Sequence, residues 1–210
     1  MNSKPKIILL VSLAGAILLG CAALSKAAPS PQPSLTPIPG WKEFSAPGVS
    51  LWLPDSFQGG DLENDLDLIT EQLKSRGAEY EAVAKMIEQN RSAFIIWAFD
   101  SNLSPGRPLA NVNLVKERVL SAVNPENYVD AIQSQLPSDF SITERKKIKL
   151  EHYEALRLII EMREPSIKEA MYIIKSGNTM WVVTYATGAD EFEARLPIFE
   201  QSANTLRVEP

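Results

Sequence analysis

The chain has 210 residues, with 21 Lys and Arg against 26 Asp and Glu, and a formal charge of -5. Phosphate contacts need a basic face, so this balance argues against nucleic acid as a partner. One histidine and one cysteine exclude an intramolecular disulfide and leave few ways to build nucleophilic catalysis, whose base is most often a histidine.

Lys4 and Lys6 open the chain, followed by an uncharged apolar run from Ile7 to Leu19 and then Gly20 and Cys21. A short basic region, an apolar core and a small residue at the cut are the parts of a secretory signal. The stretch Leu18-Leu19-Gly20-Cys21 resembles the lipobox of bacterial lipoproteins, with Leu19 where that family usually carries Ala, Ser, Thr or Val. The resemblance implies that residues 1–21 are a lipoprotein signal segment ending at a lipidated cysteine, Cys21. A thiolate suits this role because it is the nucleophilic form of the side chain. Each buried acyl methylene contributes about 0.8 kcal/mol, so two or three chains hold a domain that one chain would hold only marginally. The alternative is an uncleaved signal anchor, since Ile7 to Leu24 carries no charge and has about the shortest length that spans a bilayer. Either way the remainder is expected outside the cytoplasm, attached to the cell membrane. Cleavage would remove two lysines and take the charge to -7.

Residues 22–40 are rich in Ala, Ser and Pro, with prolines at 29, 31, 33, 37 and 39. Proline fixes φ and removes a donor, so this linker is expected to be extended, reaching at most roughly 60 Å at about 3.1 Å per residue. A Pro-rich ligand for a partner domain is the sharper alternative. Residues 41–210 then make one folded domain, stabilised by its core alone.

Trp41 to Phe44 opens this domain, and Gly48 to Pro54 alternates as a strand that Pro54 stops. Asp61 is placed to cap a helix carrying Leu62, Leu66, Ile69 and Leu73, which Gly77 ends. Tyr80, Val83, Ala84 and Ile87 mark a second helix. Ala93 to Phe99 is apolar throughout, as expected of a strand covered on both faces, and is the expected sheet centre. A turn region from Leu103 to Pro108 leads to a strand from Asn111 to Val119, with Val112 and Leu114 facing one way. Asn124 caps a helix with Pro125 in its first position and Tyr128, Val129, Ile132 and Leu136 inward, before Pro137 stops it.

The second half predicts strands at Phe140 to Leu150, Ala155 to Met162, Lys168 to Lys175 and Thr179 to Ala186, the last two joined by a Ser176-Gly177-Asn178 hairpin. Gly188 to Ala203 has helical spacing, with Pro197 expected to kink or split it. A short strand from Thr205 to Val208 closes the chain. These elements predict an α+β fold: an α/β/α sandwich whose central, mainly antiparallel sheet of about six strands is covered by helices on both faces.

The element order resembles the PsbP/Mog1-like superfamily, which includes photosystem extrinsic proteins and many small bacterial lipoproteins. The residues that carry the likeness are Gly48 to Pro54, similar to the family's early strand ending in proline, and Phe199 to Val208, similar to its last helix running into a short strand. Membership would imply non-enzymatic binding or assembly, and it supplies no functional residue.

His152, in Glu151-His152-Tyr153, is expected at a solvated turn, and no nucleophile elbow or phosphate-cradling glycine loop occurs. Asp61, Glu63 and Asp65 have the spacing that begins a calcium loop, but Leu66 stands at the glycine position and Gln72 at the twelfth. Carboxylates in a first helical turn are also favoured by the macrodipole. Arg145, Lys146, Lys147 and Lys149 form the dense basic cluster, which suits either anionic headgroups or protection of a sheet edge. Trp52 faces away from Val49 and Leu51, under a helix or toward a partner. No catalytic residue and no cofactor is expected. A membrane-anchored binding or assembly module with an unidentified protein partner is the first reading. Its alternatives are a carboxylate-only hydrolase, which needs two converging carboxylates, and a carrier of a small apolar ligand, which needs a real cavity.

Overall fold

The computed structural model of the protein describes residues 37–102, 106–164 and 166–209. The signal segment, Cys21 and most of the linker lie outside the described residues. A seven-stranded sheet is ordered β3-β4-β5-β9-β8-β7-β6, and a three-stranded sheet is ordered β1-β2-β10. The strands are β1 (Trp41–Ala46), β2 (Val49–Pro54), β3 (Phe57–Asp61), β4 (Ile96–Asp100), β5 (Asn111–Arg118), β6 (Phe140–Lys149), β7 (Glu154–Met162), β8 (Ile167–Ser176), β9 (Thr179–Gly188) and β10 (Arg207–Val208). The helices are α1 (Leu66–Lys74), α2 (Ala78–Gln89), α3 (Pro125–Gln133) and α4 (Phe192–Asn204). Every described pairing in both sheets is antiparallel.

Alternation along the strands divides the core in two. Ile96, Ala98, Val112, Leu114, Tyr172, Ile174, Val183 and Tyr185 pack under Leu51, Leu53, Phe199 and Ala203 of β2 and α4. On the opposite face Trp97, Phe99, Leu158, Met171, Ile173 and Val182 pack with Ile69, Leu73, Val83, Ile87 and Val129 of α1, α2 and α3. Completely burying a Leu, Ile or Val contributes about 1.5–3 kcal/mol, so a strand that packs on both faces loses stability from a truncation at any position. The layer over the first face is therefore shared between α4 and the small sheet, where helices alone were expected.

Three further expectations need correcting. The main sheet has seven strands rather than about six. The extra one is β3, whose Gln58-Gly59-Gly60 carries no strand signal because glycine is depleted in strands. Because β3 occupies Asp61, helix α1 starts only at Leu66, with Asp65 as the residue before it. The apolar strand β4 is second from an edge, and β9 lies at the middle of the order. An all-apolar run reports coverage of both faces, not distance from the sheet edge.

Local rules govern other elements. Asn124 accepts a bond from the Asn127 amide at 2.9 Å, and Pro125 follows in the first turn. Gly177, at φ +57°, turns the β8–β9 hairpin between the paired Ser176 and Thr179. Helix α4 runs as one helix through Pro197, held by side chains that dock it on β2. The Tyr185 hydroxyl donates to Ser202 Oγ at 2.9 Å, and Ser202 Oγ donates to the Trp52 carbonyl at 2.6 Å. The Trp52 N–H donates to Thr205 Oγ1 at 2.8 Å. Strand β10 pairs with β2 only at Val49 and Ser50, so these two side chains satisfy the edge groups of Trp52 that no strand reaches. The Trp52 side chain is half-buried on the face of β2 away from Leu51 and Leu53. Ser202→Ala leaves a buried hydroxyl and a carbonyl unpaired, and is expected to lower the unfolding free energy by about 2 kcal/mol. Urea titration reads this, and an unchanged midpoint would show that water replaces the serine.

Candidate functional site

At one end of the main sheet the β4–β5 connection, the β7–β8 connection and the start of α4 come together. Asp100 closes β4, is 6 % exposed, and accepts the Asn102 amide at 3.0 Å. Arg195 of α4 reaches it with Nη1 at 2.8 Å, while its Nε donates to Glu191 at 2.9 Å. Arg107 pairs with the other oxygen of Glu191 and lies 3.4 Å from Asp190. These residues line a cleft with Tyr80, Leu109 and Ala110. The hydrogen bonds from Arg107 and then Arg195 hold the Glu191 carboxyl below the usual carboxylate range. Asp100 and Glu191 thus share the Arg195 guanidinium, which clamps the start of α4 to the end of β4. The cleft has room for about one water, against the ~300 Å³ or more that an apolar ligand needs.

The calcium candidates are used locally. Asp61 is 7 % exposed; its Oδ1 accepts the Glu63 amide at 2.9 Å and its Oδ2 the Asn64 side-chain amide at 2.7 Å. Asp65 Oδ2 turns back to the Asp61 N–H at 3.2 Å, and Glu63 is exposed. This is an Asx turn that carries the chain from β3 into α1. Among the described residues no group of three or more His, Cys, Asp and Glu is arranged to hold a metal ion.

The basic cluster lies on β6, the outer strand of the main sheet. Alternation splits it. Arg145 reaches α3, donating to Asp130 at 2.6 Å and, through Nε, to Glu126 at 2.9 Å, and Lys147 lies 3.3 Å from Glu126. Lys146 is paired in register with Arg157, and Lys149 with Glu154. Charges along a rim oppose pairing with another chain. His152 is 3.5 Å from Glu151 in the β6–β7 turn, 35 % exposed.

Two residues that the sequence did not single out stand apart. Glu169 is 5 % exposed, its Oε2 has no hydrogen-bond partner, and burial alone pushes its carboxyl up to about 7. Asn111 is 5 % exposed and its Oδ1 is likewise unpaired. The only signal was a polar residue at a strand position, and on a half-solvated sheet that reads as an outward side chain.

No family model and no curated protein sequence matches the chain. Solved structures do. The fold is PsbP-like: cyanobacterial PsbP (CyanoP) from Synechocystis sp. PCC 6803 matches with TM-score 0.52 at 8 % identity, over 85 % of this chain and 98 % of that one. A protein from Mycobacterium tuberculosis, LpqN, described as involved in cell envelope biogenesis, matches at TM-score 0.48 and 9 % identity, over 81 % and 91 % of the two chains. PA94, a protein of unknown function from Pseudomonas aeruginosa, matches at TM-score 0.44 and 17 % identity, over 52 % and 79 %. No helix among the described residues is long and apolar enough to cross a membrane.

Proposed function

We propose that the chain is a lipid-anchored module for binding or assembly on the extracytoplasmic side of the cell membrane. The observation that carries this reading is the N-terminal order itself: a basic start, an uncharged core, Gly20-Cys21 and a proline-rich spacer leading to a folded domain. A spacer of this kind is what a tethered domain needs to reach a partner beyond the headgroups. The clamp at the end of the sheet supports a binding role over hydrolysis, because Asp100 and Glu191 are both committed to Arg195.

The tether is tested at Cys21. Cys21→Ser, expressed in a bacterial host, is expected to remove the diacylglyceryl mass from the mature N-terminus and to cut the membrane-bound fraction at least about tenfold, since two acyl chains are lost. A serine variant that stays in the membrane fraction with an intact, unmodified N-terminus would establish the uncleaved anchor instead. Binding is tested by crosslinking in intact cells. Recovery of one protein with the parent chain, and its loss with the released variant, is the result that the module reading requires.

A further inference from the structure

The helix-covered face of the main sheet carries a polar island in an apolar layer. Register places Asn111 beside Ala186 and Ala186 beside Glu169, so these three stand side by side on β5, β9 and β8. Asn113 and Thr184 form the neighbouring pair one step along the same face. They are 3 % and 4 % exposed. The layer around them is made by Trp97, Phe99, Leu158 and Ile160.

Ala186 is the small member of its row. Neighbouring strands are about 4.8 Å apart, so the Cα atoms of Asn111 and Glu169 are separated by roughly 10 Å with only a methyl group between them. Both side chains project from the same face of the sheet on either side of Ala186, so their free ends can reach toward each other across it. The amide of Asn111 is oriented by its own bond: Nδ2 donates to the Leu109 carbonyl at 2.9 Å, which leaves Oδ1 as the free atom. Glu169 Oε2 is the second free atom. Both are acceptors, both belong to residues about 95 % buried, and no ion pair reaches Glu169 among the described residues. A buried acceptor without a donor is destabilising, and two of them flanking one alanine on the same face call for a guest that carries donors or positive charge.

We propose that a compact monovalent cation, either an alkali ion or a primary ammonium group, binds over Ala186 between Glu169 Oε2 and Asn111 Oδ1. One carboxylate balances one positive charge, whereas a divalent ion would leave a net charge buried. The donor set is all oxygen, which suits hard cations, and Thr184 and Asn113 stand where they extend it.

Thermal unfolding of the full chain tests this. It is carried out at about pH 8 in choline chloride, with choline replaced stepwise by Na⁺, K⁺ or methylammonium at constant ionic strength. Choline is the reference because it is bulky and has no N–H to donate. At least one of the three cations is expected to raise Tm saturably by roughly 3–6 °C. A rise confined to Na⁺ or K⁺ identifies a metal-ion site, and one confined to methylammonium identifies a site for an amine-bearing ligand. The rise is expected to vanish in Glu169→Gln, which removes the charge, and in Ala186→Val, which adds bulk between the two acceptors but keeps the carboxylate. Equal Tm values in all four salts would overturn the proposal, as would a rise that persists undiminished in both variants.

Discussion

Replacing Gly59 with alanine is expected to cost about 4 kcal/mol of unfolding free energy, a large part of the roughly 5–15 kcal/mol by which an ordinary domain is stable. Gly59 sits in β3 at φ +133°, a region that L side chains rarely adopt. The added Cβ would fall 2.3 Å from the Trp97 carbonyl oxygen and 2.6 Å from the Ala98 Cα. These are backbone atoms of the strand to which β3 is paired, with Gly59 opposite Ala98. They cannot withdraw without opening the β3–β4 ladder. The loss would spread to α1, because Asp61 at the end of β3 anchors the turn that starts it. Glycine at the next position is a weaker test: a Cβ on Gly60 meets the Asp65 carboxylate at 2.3 Å, and a side chain can swing away. Chemical denaturation of the two alanine variants separates them. If Gly59→Ala cost less than Gly60→Ala, the close approach of β3 to β4 would be wrong.

Stability of the chain in choline buffer is expected to fall by about 3 kcal/mol as pH rises from about 5 to about 8. Burial alone raises the Glu169 carboxyl from 4.5 to about 7. Between those values the folded protein holds a proton that the unfolded chain has released, so the folded state binds more protons and stability declines with rising pH. The contribution is complete below the unfolded value and gone once pH passes the folded one. Carboxylates held down by arginine work in the opposite sense. The Arg145 bond lowers Glu126 and the Arg107 bond lowers Glu191; their contributions are present above the ordinary carboxylate value and are lost in acid. Both are solvated and screened, so they add little to this window. Glu169→Gln keeps the shape and removes the titration. The difference in unfolding free energy between variant and parent should therefore grow with pH in favour of glutamine. A difference that is constant from about pH 5 to about pH 8 would place the Glu169 carboxylate in contact with solvent or a counter-charge.

Elements with a local cause were legible in the sequence. Helix α3 follows from Asn124-Pro125 and the spacing of Tyr128, Val129 and Ile132, and the β8–β9 hairpin follows from Gly177. The strand from Gly48 to Pro54 and the covered strand before Asp100 show in the same way, because alternation and apolar runs depend on neighbours a few residues apart. Strand β3 leaves no such trace, since two adjacent glycines erase the pattern, and Asp61 then has the local look of a helix cap. The order of strands did not show either. Whether β4 or β9 lies in the middle depends on pairings between residues far apart in the chain, such as Val112 with Tyr185.

The same division holds for function. Cys21 and the spacer are matters of sequence alone, because signal recognition and an extended proline-rich segment need no tertiary contacts. The arginine clamp on Asp100, the docking of Trp52 by Ser202, and the placing of Asn111 and Glu169 on either side of Ala186 belong only to the tertiary structure. Asn111 alternates with apolar neighbours as a solvent-facing residue does, and Glu169 follows Lys168 at the charged start of β8. They are buried because both faces of the sheet are covered, and no local pattern in either strand records the second cover.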